Sequence, residues 1–96
     1  MNTDNIKVEL VNLISTLFKN KGFEVEIIEY ADLINDLGMD SITFISMVVE
    51  IEAYFNMEVP DDYLLMEKFK TVDDIVKIIE EGILLKFNAS EVIDNA

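Results

Sequence analysis

Apolar residues recur at helical spacing along most of this chain, and the recurrences divide it into segments. Ile6, Leu10, Leu13, Ile14, Leu17 and Phe18 fall on one stripe at about 100° per residue. That spacing predicts a first helix over about 4–19. Thr3 or Asp4 offers a side-chain oxygen to cap it. Lys19, Asn20, Lys21 and Gly22 end it, with cations at the negative end of the helix dipole and a glycine just past it.

Residues 23–40 read as a long connection. Phe23, Val25 and Ile27 alternate with Glu24 and Glu26, the period of a strand. No second strand offers itself as a partner, so the expectation is an extended loop pinned by its apolar residues. Ala31 to Leu37 has room for a short helical turn, with Leu33, Ile34 and Leu37 placed to plug the end of a bundle. Gly38 permits a turn that aims Asp40 and Ser41 outward.

A second helix is predicted from Ser41 to Phe55 or Asn56. Ile45, Val48, Ile51 and Phe55 share one face, with Phe44 on its flank. The other side carries Thr43, Ser46, Val49, Glu50 and Ala53. Val49 and Ala53 make it less polar than a plain solvated face, so it reads equally as a second packing face or as a docking surface. Val59, Pro60, Asp61 and Asp62 form a turn into a short third helix, about 61–68, with Pro60 just ahead of its start. Tyr63, Leu64, Leu65, Met66 and Phe69 are too apolar for so short a segment to stand alone, and are expected to lie on the bundle. Thr71, Val72, Asp73 and Asp74 fit a capping box. The fourth helix, 72–81, buries Val72, Ile75, Ile78 and Ile79 and can stop at Gly82, although Ile83, Leu84, Leu85 and Phe87 could also extend it or fold back on the core. Residues 83–96 then form an extension, partly helical or disordered, with fraying from Asn88. The fold class is thus all-α: four helices, three long and one short, with a long first loop, in a single domain over 1–82.

Composition narrows the function. Of 96 residues 51% are hydrophobic, enough for a packed core. No apolar run reaches membrane-spanning length, and no basic, signal-like segment opens the chain. A cytoplasmic location is expected. There is no cysteine and no histidine. That removes a disulfide framework, the usual zinc sites and a histidine-activated nucleophile. The net charge is -13, and no Lys or Arg lies between Gly22 and Glu67. Nucleic acid and anionic membrane are therefore not expected partners, since both need cations. A basic protein surface is the natural complement, although acidity also keeps a small apolar domain soluble.

Enzyme chemistry finds no purchase. A serine–lysine pair has no lysine near Ser41. Paired carboxylates lack a substrate cleft in so small a bundle. Asp61-Asp62, Asp73-Asp74 and Glu80-Glu81 lack the spacing of a calcium loop, and no glycine-rich phosphate cradle is present. No metal site and no catalytic residue is expected. What stands out is one serine at the mouth of a helix, beside a carboxylate and after a glycine turn. It is either a cap or a place to attach something.

The stretch Leu37-Gly38-Met39-Asp40-Ser41-Ile42, followed by Glu50-Ile51-Glu52, Phe55, Val59-Pro60 and Thr71-Val72-Asp73-Asp74-Ile75, resembles the acyl carrier protein family, including its peptidyl carriers. The landmarks occur in order over about residues 4–82. The resemblance implies a carrier-protein four-helix bundle and a covalent 4′-phosphopantetheine, derived from coenzyme A, on Ser41. Its thiol carries an acyl or aminoacyl group as a thioester. Asp40 is implied to orient the site and to assist metal placement in the transferase complex. The partner face would comprise Ile42, Thr43, Ser46, Val49, Glu50 and Ala53. Phe44, Ile45, Val48, Ile51 and Met66 are candidates to line an acyl pocket, each with ordinary core packing as its other reading. Implied partners are a phosphopantetheinyl transferase, an acyl- or aminoacyl-loading ligase, and downstream synthase or transferase enzymes with basic docking surfaces. The chain alone is expected to be a monomer.

Some residues depart from the fatty-acid carriers. Ser46 and Ala53 stand where carboxylates are common in that group. The segment 61–71 looks two residues longer, and its Tyr63-to-Phe69 run resembles stand-alone carriers of nonribosomal peptide and polyketide pathways. The favoured expectation is a discrete carrier of such a specialised pathway, with housekeeping fatty-acid synthesis as the alternative. From another class, the chain could be an unmodified acidic helical adaptor that binds a basic protein.

Overall fold

The computed structural model describes residues 3–19 and 25–94. Among them the only regular structure is helical: α1 (Thr3–Phe18), α2 (Val25–Tyr30), α3 (Ser41–Phe55) and α4 (Val72–Asp94), with two 3-10 turns at Asp61–Tyr63 and Met66–Lys68. α1 packs against α2, α3 and α4.

The core follows from the apolar stripes. α1 buries Ile6, Leu10, Val11, Ile14 and Phe18, with Leu13 and Leu17 partly covered at its edge. Thr3 lies within the helix rather than capping it, and its hydroxyl donates to Glu80 on α4 at 2.5 Å. The Tyr54 hydroxyl on α3 donates to Glu9 on α1. No polar or charged side chain is buried among the described residues. Apolar burial therefore dominates the stability, and these polar ties act at its rim.

Four expectations need correction. The alternating segment is not an extended loop from Val25 onward. Val25–Tyr30 is a short helix, and Ile28 is fully buried beneath it. Phe23 and Glu24 lie outside the described residues. The short third helix is instead two 3-10 turns separated by Leu64 and an extended Leu65 (φ -130°, ψ 128°). Of its apolar residues Phe69 is buried, Tyr63 and Met66 are partly covered, and Leu64 and Leu65 are exposed. On α3 the buried residues are Met47, Val48, Ile51 and Phe55, and Ile45 points outward at 60% exposure. Finally, of the two readings left open after residue 81, extension holds: the fourth helix does not stop at Gly82, and helical backbone continues through Asn88 to Asp94.

Gly82 is there because two backbones meet. A Cβ on it would fall 2.8 Å from the Glu58 carbonyl oxygen and against the Met57 side chain. One turn later Lys86 donates to the Asn56 carbonyl at 2.6 Å. Asn56 adopts a left-handed conformation (φ 52°, ψ 54°) and returns its N–H to the Glu52 carbonyl, closing α3. Glu52 in turn accepts the Val59 N–H at 2.9 Å. The C-terminal end of α3 and the middle of α4 are thus fastened together. By contrast, the Thr71 side of the expected capping box forms, its hydroxyl accepting the Asp74 N–H at 3.1 Å.

Candidate functional site

The segment leading to Ser41 is fixed by its own hydrogen bonds. Asp32 accepts from the Asn35 N–H at 2.8 Å, the Ile34 N–H at 3.0 Å and the Asn35 side-chain amide at 2.9 Å. Asp36 accepts the Asp32 N–H at 3.0 Å and donates its own N–H to the Asp32 carbonyl at 2.8 Å. This is the short turn expected over 31–37. Leu33 and Leu37 are buried, Ile34 partly so, as plugs. Leu33 also donates its N–H to the Lys70 carbonyl at 2.6 Å, tying the turn to the chain ahead of α4.

Gly38 then takes φ +69°, a conformation costly for any residue with a Cβ. It reverses the chain so that Met39 turns inward, 4% exposed, with its N–H on the Leu33 carbonyl at 2.9 Å. Asp40 and Ser41 emerge exposed. The cap of α3 is Asp40: its carboxylate accepts the Thr43 N–H at 2.8 Å and its carbonyl accepts the Phe44 N–H at 2.9 Å. Ser41 is the first helical residue and not the cap. Asp40→Ala is expected to lower stability by about 1 kcal/mol, measurable as a shift of the urea midpoint at constant slope. An unchanged midpoint would show that this capping bond contributes nothing in solution.

The hydrogen bonds also set the charge of the loop. The Asn35 N–H, assisted by the Asn35 side-chain amide and the Ile34 N–H and opposed by partial desolvation, holds the Asp32 carboxyl below its ordinary value of 3.8. Because the folded value is depressed, its stabilising contribution is fully present above pH 3.8 and is lost as pH falls through the folded value. Hydrogen-exchange protection at Ile34 and Asn35 is therefore expected to stay constant from neutral pH down to that region and then decline. Protection lost near pH 6 would contradict this assignment, since Asp32 has no proton to take up there.

Beyond Ser41, α3 presents an outer face with unequal chemistry. Ile42, Ile45 and Val49 are exposed at 76%, 60% and 58%, and Ser46, Glu50 and Ala53 are exposed beside them. Thr43 is half-buried. Five of the six residues expected at a partner face are thus open to solvent. Of the five considered for an acyl pocket, Val48 and Ile51 are core, Phe44 and Met66 are partly buried against it, and Ile45 is excluded from the interior. Phe44 packs edge-on against Phe69, ring centroids 5.0 Å apart at 74°. Sequence reasoning missed Asp32 and Met47 as elements of this region, and gave Met39 and Phe69 no packing role beside Ser41. An Asp three residues before an Asn was the available signal for the Asx-type turn.

A family profile described as "Phosphopantetheine attachment site" matches residues 9–79, from the second turn of α1 into α4. The chain belongs to the acyl carrier protein family. It is 34% identical over 86 residues, 90% of the chain and all of the relative, to an acyl carrier protein of Coprothermobacter proteolyticus. It is 42% identical over 53 residues, 55% of the chain and 61% of the relative, to that of Phytoplasma mali. A third, from Zymomonas mobilis, is 41% identical over 56 residues, 58% of the chain and 69% of the relative. Family membership brings a covalently attached 4′-phosphopantetheine, and with it the role of a carrier. The site residues suit such a group. An exposed hydroxyl stands at the N-terminus of a fifteen-residue helix, where the dipole favours a phosphate. When bound, the group supplies a thiol that this cysteine-free carrier lacks.

Proposed function

We propose that Ser41 is the attachment residue and that the chain is a discrete, non-catalytic carrier of acyl or aminoacyl thioesters. The carrying observation is the separation of duties between Asp40 and Ser41. The carboxylate caps the helix, and the neighbouring hydroxyl stays exposed at its mouth. On attachment the Ser41 oxygen forms a phosphodiester, its proton leaves, and coenzyme A loses adenosine 3′,5′-bisphosphate. Asp40 orients the site. Ile42, Thr43, Ser46, Val49, Glu50 and Ala53 form the face met in turn by a transferase, a loading ligase and downstream synthases.

The pathway reading is a specialised, nonribosomal-peptide or polyketide-type one, in a cytoplasmic setting. Its support is the outer face of α3, where Ile42, Ile45 and Val49 are exposed and Glu50 is the one carboxylate among the six partner-face residues. A partner for that face presents apolar side chains, with cations toward its margin. The housekeeping fatty-acid reading draws on the end-to-end match with the Coprothermobacter protein, which is named only as an acyl carrier protein.

The test is intact mass after incubation with coenzyme A, magnesium and a broad-specificity phosphopantetheinyl transferase, followed by peptide mapping. One phosphopantetheine on Ser41 is expected. No gain beside a working control carrier would reject the proposal in favour of an unmodified adaptor, and a gain on Ser46 would misplace the site. If a malonyl transferase of fatty-acid synthesis then loads the holo-protein as fast as its own carrier, the housekeeping reading prevails.

A further inference from the structure

We propose that Phe44 and Phe69 close the bundle beside the attachment residue. The cargo then stays outside the fold, and this carrier serves short or polar acyl groups, aminoacyl groups included, rather than long saturated chains. The inference rests on the carrier reading of Ser41.

Phe44 stands three residues after Ser41, almost one turn further along α3. Its half-buried ring meets the fully buried ring of Phe69 edge to face at 5.0 Å. Phe69 is held from both sides. Its N–H donates to the Met66 carbonyl at 2.9 Å, and the next residue's carbonyl accepts the Leu33 N–H at 2.6 Å. The ring pair therefore bridges α3 and the 61–70 segment, and the Lys70–Leu33 bond ties that segment to the turn that leads to Ser41. An opening beside Ser41 would have to form among those three elements.

The inner face of α3 is occupied by core side chains. Met47 and Ile51 have no exposed surface and Val48 is 8% exposed. A chain entering from Ser41 must part the rings, displace Phe69 and then find room in a close-packed core, where added methylenes force neighbours off their preferred rotamers. Space of another kind lies at the opposite end of α3. A concavity of about 680 Å³ is bounded there by Glu52, Asn56, Glu58, Asp61, Leu85 and Lys86 among others. Met57, Val59 and Pro60 also line it, so its wall is mixed. It lies at the C-terminal end of α3, the length of that fifteen-residue helix away from Ser41, and is no extension of the space beside the attachment residue. A long saturated chain on this carrier would remain in solvent at a hydrophobic cost that a short or polar group does not carry.

The test uses the full chain loaded with acetyl- or octanoyl-phosphopantetheine, loading being confirmed by mass. Amide spectra of the two forms are expected to coincide at Phe44, Val48, Ile51 and Phe69, with differences confined to residues near Ser41. Hydroxylamine is expected to cleave both thioesters at the same rate. Core shifts that grow with chain length, or slower cleavage of the octanoyl thioester, would overturn the inference and leave the carrier reading intact. Failure to load would overturn both. Phe44→Ala, or Phe44→Leu should the first variant not fold, is expected to bring core shifts to the octanoyl form. Their absence in a folded, loaded variant would show that the ring pair is not the closure.

Discussion

Ser41→Ala is expected to give a protein that folds like the parent and gains no prosthetic group. The first half follows from the geometry at the start of α3, and the second from the proposed attachment at Ser41. The capping carboxylate belongs to Asp40, which accepts the Thr43 N–H, and the first helical hydrogen bond runs from Phe44 to the Asp40 carbonyl. The serine side chain is exposed at the first helical position. Alanine there keeps the backbone hydrogen bonds and is a good helix former. The change in unfolding free energy is expected to lie within about 0.5 kcal/mol. The loss of phosphopantetheine, in contrast, should be complete, because the reacting oxygen is gone. Asp40→Ala makes the complementary case, with lower stability and an attachment oxygen still in place. Should Ser41→Ala lose a cap's worth of stability, the division of roles between the two residues would be wrong. Residual mass gain in the variant would place the attachment elsewhere.

Gly82→Ala is expected to destabilise the fold, although it replaces a poor helix former with the best one. Propensity alone favours alanine by about 1 kcal/mol in an exposed helix interior. Position 82 is not exposed: the added methyl would sit 2.8 Å from the Glu58 carbonyl oxygen. That carbonyl has little freedom to retreat. The left-handed Asn56 and the Glu52–Val59 bond fix the turn on one side, and the Lys86–Asn56 bond holds α4 on the other. Overpacking of this kind costs about 1–3 kcal/mol, so denaturant titration should show a net loss. A more stable Gly82→Ala would mean that α4 and the 57–58 turn stand farther apart in solution.

Gly82 also shows where the sequence stopped being legible. A glycine late in a helical pattern reads as a terminator, and nothing local distinguishes that use from close approach to a distant backbone. The rotation of α3 was ambiguous for a similar reason. Phe44, Val48, Ile51 and Phe55 define the centre of its inner face, with Ile45 on one flank and Met47 on the other. Both flanking residues are apolar, and only the placement of neighbouring elements buries Met47 and exposes Ile45. At Val25–Tyr30 the five-residue alternation was too short to separate two periods. Val25, Ile28 and Ala31 carry a helical spacing that the window ending at Ile27 cut off. The run at 61–69 misled through its apolarity, which hid the extended break at Leu64 and Leu65. Features that depend on near neighbours were readable. The stripe of α1, the Thr71 capping box, the turn over 31–37 and the glycine-then-Asp-Ser entry to α3 are all set within a few residues, so chain order was enough to find them.

Two ion pairs run through one ammonium group. Lys7 on α1 reaches Glu29 on α2 at 3.7 Å and Asp73 on α4 at 3.2 Å. Around it stands a chain with twenty carboxylates and seven cations. Lys7 thus joins three helices in a strongly acidic chain, whose charges repel one another wherever they are not screened. Added salt weakens two partly exposed contacts of small worth and relieves a repulsion shared by the whole surface. The balance of screening runs opposite to that of a protein rich in surface ion pairs, and a folding free energy measured in dilute buffer is a lower bound on its value at physiological ionic strength.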